Sequence, residues 1–81
     1  MSERLILEGS LQRKKMLSMQ LATRAAGLIT AIKIIIQPAA IRPLKDLKTG
    51  EALSLIRELD DVRTQYLQVQ AEIDEIRQEL Q

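Results

Sequence analysis

"LIRELDDVRTQYLQVQAEIDEIRQEL", residues 55–80, decides how this chain folds. Its apolar residues recur at every third and fourth position. With Leu59 set at heptad position a, the a positions are Ala52, Leu59, Tyr66, Ile73 and Leu80, and the d positions are Leu55, Val62, Val69 and Ile76. Every a and d is apolar, the pattern of a helix that packs lengthwise on another helix.

The flanking positions test how two copies of this helix would meet. Position g holds Glu58, Gln65, Glu72 and Glu79; position e holds Ile56, Arg63, Gln70 and Arg77. In a parallel pair, g meets the e residue five further on in the other helix. Glu58 then meets Arg63, Gln65 meets Gln70 and Glu72 meets Arg77, and all three pairs are compatible. An antiparallel pair centred near Tyr66 sets Glu58 against Glu72, like charge against like. Charge therefore favours parallel contact between copies. The d positions are mostly Val and Ile and the a positions mostly Leu, which disfavours a lone two-stranded coil and favours more helices per bundle.

Upstream, "QPAAIRPLKDLKTG", residues 37–50, punctuates the chain. Pro38 biases Gln37 away from helical backbone angles and stops any helix arriving from the N-terminal side. Pro43 suits the first position of a short helical turn running to about Lys48. Thr49-Gly50 reads as a break before the second helix, and Ile41, Leu44 and Leu47 are expected to fold the connection back onto the helices.

The segment before it reads as one helix ending at residue 36 and starting at about residue 3 or 11. Leu17, Leu21, Ala25, Leu28, Ile32 and Ile35 step at helical spacing, and Ala22, Ile29 and Ile36 widen that face. Gln20, Thr23, Arg24, Gly27, Thr30 and Gln37 form a narrow polar stripe opposite. Gly9-Ser10 is a candidate split, with Ser10 as a cap. The run "IKIII" is β-branched and suits a strand, but a lone strand has nothing to pair with, so helix is expected.

Composition limits what such a chain does. Its 81 residues make one domain at most, too small to bury a comfortable core alone. It has no Cys, His, Phe or Trp, and Tyr66 is its one aromatic. Without Cys or His there is no disulfide, no ordinary catalytic triad or dyad, and no thiolate or imidazole metal site. The glycines lie too far apart for a phosphate loop. Glu72, Glu75 and Glu79 share a helix face and read as solvated acids rather than a cation site. No cofactor or metal and no enzymatic activity are expected.

Charge is split. Residues 1–50 carry nine Lys/Arg against three acids, net +6, whereas residues 51–81 carry three Arg against eight acids, net −5. The two halves suit pairing with each other, or two different partners. The basic half, with Arg13, Lys14 and Lys15, is the candidate nucleic-acid contact. Stacking aromatics are missing, and a two-proline connection is no helix-turn-helix. Residues 16–36 are mostly apolar, but Arg24 near their centre costs about 2.5–3.5 kcal/mol in a bilayer, which disfavours a span. It also interrupts any signal peptide, and the expected localisation is cytoplasmic.

The sequence thus predicts an all-α chain: an antiparallel helical hairpin over residues 1–81 that dimerises into a four-helix bundle, with a tetramer as the alternative assembly. The predicted seam sets Leu55, Leu59, Val62, Tyr66, Val69, Ile73, Ile76 and Leu80 against Leu17, Leu21, Leu28, Ile32 and Ile35. The expected function is a non-enzymatic interaction or assembly module, an adaptor or small regulator that binds itself and another protein. The alternatives are a nucleic-acid-associated accessory protein and a peripheral membrane-surface helix.

Overall fold

The computed structural model describes residues 2–37 and 44–81. Two long helices account for nearly all of them: α1, Glu3–Ile36, and α2, Thr49–Leu80. A 3-10 turn, Leu44–Asp46, precedes α2, and no strand occurs among the described residues.

The helix α1 is continuous. It is capped at Ser2, whose hydroxyl accepts from the Arg4 backbone N–H at 3.2 Å. The expected split at Gly9-Ser10 does not occur. A glycine inside a helix costs only about 1 kcal/mol, and the flanking Leu7 and Leu11 are both partly buried. The run "IKIII" is helical, so its β preference yields to the surrounding helix. Exposed threonines remain in helix by donating their hydroxyls to carbonyls one turn back: Thr23 to Met19 at 3.0 Å and Thr30 to Ala26 at 3.1 Å.

The connection differs from expectation where it is described. Thr49 and Gly50 belong to the first turn of α2, and the break falls at Leu47 and Lys48. Leu44 does not fold back onto the helices; it is 83% exposed. Leu47 is half-buried. The expected roles of Pro38, Ile41 and Pro43 lie outside the described residues.

The helices run in opposite directions. As the residue number rises along α1 it falls along α2: Arg4 reaches the Leu80 carbonyl, Lys14 the Glu72 carboxylate, Ser18 the Gln70 amide and Arg24 the Glu58 carboxylate. The molecule is a rod of 64 × 17 × 14 Å, one layer of two helices. Its core is the strip between them. Leu21, Val62, Val69 and Ile73 form the buried centre, with Leu11, Ala25, Leu28 and Tyr66 packed around it. Val62 is 1% exposed. Ala52 and Ile76 extend the buried strip along α2.

Candidate functional site

Of the predicted α2 seam, Val62, Val69 and Ile73 cluster with Leu21 of α1, and Tyr66 packs against that cluster. Val62, Val69, Ile73 and Ile76 are buried, while Leu55, Leu59, Tyr66 and Leu80 are half-buried. On α1, Leu21 is buried and Leu28, Ile32 and Ile35 are half-buried. Leu17 departs from the predicted seam, being 43% exposed. The residue next to it, Ser18, takes the buried place and accepts a 2.6 Å hydrogen bond from Gln70. The register of α1 thus passes through Leu11, Lys14, Ser18, Leu21, Ala25 and Leu28, alternating steps of three and four. Ala22, Ile29 and Ile36, expected to widen the seam, are exposed.

A two-helix layer has two flanks, and here they differ. On one, Lys14 holds Glu72, and Arg24 meets Glu58 at 2.5 Å. Gln68 also donates to Glu72, at 3.0 Å. The Lys14 ammonium, and next the Gln68 amide, hold the Glu72 carboxyl below its ordinary value of 4.5. Glu58 and Glu72 are the residues that the parallel pairing of two α2 helices assigned to Arg63 and Arg77 of another copy. In the structure they are engaged by cations of their own chain. Leu17 and Leu21 line a cleft of about 390 Å³ on this flank with Thr64, Gln65, Gln68 and Val69.

The other flank is an open apolar groove of about 450 Å³. Ala22, Ala26 and Ile29 of α1 form one wall, and Leu59, Arg63 and Tyr66 of α2 the other. Leu21, Ala25 and Val62 form its floor, so the groove is the outer side of the core itself. Small alanines on one wall and larger side chains on the other make a trough beside a ridge. Arg63 enters no ion pair among the described residues.

The back of α1 is a third surface. Met19 is 71% exposed, and Leu5, Met16 and Ile34 are exposed with it. They alternate with exposed Gln12, Thr23 and Thr30. By length and composition α1 is long and apolar enough to cross a membrane, and little of its apolar stretch is buried in the two-helix structure.

The three candidate nucleic-acid cations do not converge. Successive residues on a helix point about 100° apart, which sends Arg13 to the ion-paired flank, Lys14 into the seam and Lys15 toward the groove. Lys14 is spent on Glu72. No cluster of three or more potential metal ligands exists among the described residues. No protein-family model, curated protein or solved structure matches this chain.

Proposed function

We propose that this chain is a non-enzymatic interaction and assembly module: a helical hairpin that completes its core by associating with further helices into a four-helix bundle. One observation carries the reading. The groove flanked by Ala22, Ala26, Leu59 and Tyr66 exposes the side of the only core the described residues possess. A folded protein of 9.2 kDa typically exposes about 4,900 Å², whereas this chain exposes 6369 Å². Surface of that kind is removed from water by partner helices.

The test is the mass of the purified protein in solution by light scattering, with refractive index for concentration. A mass of two or four chains supports assembly. A helical single chain that captures no partner removes the reading.

A second reading is favoured by the apolar back of α1. There the helix lies on a membrane surface, with Leu5, Met16, Met19 and Ile34 turned to lipid. Flotation with lipid vesicles tests it: protein that stays at the bottom of the gradient removes it. The nucleic-acid reading has less support, because Arg13, Lys14 and Lys15 point to different sides.

A further inference from the structure

The groove has a specific occupant. We infer that it binds the same groove of a second copy, about a two-fold axis parallel to the helices, so that α1 of each chain lies over α2 of the other. This rests on the assembly reading above and fixes its surface and its geometry.

Area comes first. The exposed surface exceeds the typical value for this mass by about 1,400 Å². That excess is spread along the whole 64 Å rod, and a second copy laid along its full length covers more of it than a shorter partner does. A smaller partner, such as one short peptide helix, leaves most of it in water.

Shape comes second. The trough of one copy, Ala22 and Ala26, lies level with the ridge of the other, Arg63 and Leu59, when the layers stack about this axis. Small residues facing larger ones allow the side chains to interdigitate.

Charge decides the axis. Six cations against two acids make α1 basic, and three cations against eight acids make α2 acidic. With the axis along the helices, every helix has neighbours of opposite charge. Glu8, which accepts from Arg4 of its own chain at 3.2 Å, comes level with the partner's Arg77, just as Arg4 is level with Leu80 within one chain. Lys15 comes within a turn of the partner's Asp74, since Ser18 is level with Gln70. The other two-fold, perpendicular to the helices and centred on the groove, stacks α1 on α1. It sets Lys15 against the partner's Lys33. Like charges face to face are destabilising, so that arrangement is disfavoured. The ion-paired flank suits a second layer less well, because Lys14–Glu72 and Arg24–Glu58 already occupy it.

Two experiments test the inference. Ala26→Glu places a carboxylate in the trough, and Gly27→Glu places one on the back of α1, outside the groove. By light scattering, the wild type and Gly27→Glu should weigh two chains. Ala26→Glu should raise the dimer Kd about a hundredfold or more, since it buries an unpaired charge. A dimer indifferent to Ala26→Glu overturns the groove and leaves assembly through another face. A monomeric, helical wild type overturns both readings, and its flotation with anionic vesicles assigns the apolar surface to lipid.

The second experiment does not depend on a disruptive variant. The chain has no cysteine, so Glu8→Cys and Arg77→Cys, or Lys15→Cys and Lys33→Cys, can be mixed as single variants and joined with a short bis-maleimide. Cross-linking of the first mixture is expected. Cross-linking of the second mixture alone overturns the proposed axis.

Discussion

The side-chain amide of Gln70 on α2 donates a 2.6 Å hydrogen bond to the hydroxyl of Ser18, which is buried in the seam of α1. The pair is polar in a strip that is mostly apolar beyond Lys14 and its partner Glu72, and it joins the two helices at one level. A single polar pair of this kind fixes register, because sliding either helix leaves both groups unpaired. Ser18→Ala should cost about 0.5–1.5 kcal/mol and lower Tm by about 4–8 °C per kcal/mol. Gln70→Ala should cost about as much, and the double variant little more than either alone. Strict additivity in that cycle would show that the two side chains are not coupled.

Val62 is the most buried large side chain, at 1% exposure. It packs in the cluster with Leu21, Val69 and Ile73. Val62→Ala removes two methyl-sized groups and leaves a void, for about 1.5–3 kcal/mol. Urea unfolding followed by circular dichroism should show the unfolding free energy falling by that amount, with a lower midpoint and little change in slope. Leu17→Ala, on an exposed neighbour of the seam, should cost much less. Equal losses would place Leu17 in the core.

Acid should weaken the fold through Glu72. Its carboxyl is held below its ordinary 4.5 by the Lys14 ammonium and then by Gln68. A depressed folded-state pKa means that the unfolded chain binds the proton more readily. The contribution of Glu72 is therefore present above its ordinary pKa and is lost as pH falls through the folded value. Lys14→Ala removes the main cause. Between about pH 5 and about pH 3 the wild type should lose more stability than Lys14→Ala. Parallel pH profiles would mean the pair contributes nothing.

Gly27 sits inside α1 with ordinary helical backbone, and a Cβ there would meet no atom within 4 Å. Gly27→Ala should stabilise the protein by about 0.5–1 kcal/mol, because alanine loses less conformational freedom in a helix. The assembled mass should not change, since Gly27 points away from the groove. A fall in mass would place a partner helix against the back of α1.

Along α2 the period is unbroken, and Val62, Tyr66, Val69 and Ile73 of that stripe pack with Leu21 of α1. Along α1 the pattern is less selective, since apolar residues occur on every side of that helix. Leu17 and Leu21 lie four apart and read as one row, whereas the register that packs runs through Lys14 and Ser18. Nothing in the types Lys and Ser marks them as seam positions. They become so through Glu72 and Gln70, which face them from the other helix. The same pairing explains why α2 charges that suited a second copy are satisfied at home. The sequence shows the small residues Ala22, Ala25, Ala26 and Gly27 as a place where a helix can approach closely, but the shape of the groove is not legible, because it exists only where Ala22 and Ala26 stand beside Leu59 and Tyr66.

Tyr66 is the chain's one aromatic residue, and it stands in the groove wall, half-buried. The protein therefore carries its own optical probe at the place where a second layer would settle. Its emission arises from a single known position, with no tryptophan to mask it. Quenching by a small solute such as acrylamide reads the exposure of that one ring. Dilution that opens the groove should make the ring more accessible, and a partner that closes it should shield the ring, with no label attached and no residue changed.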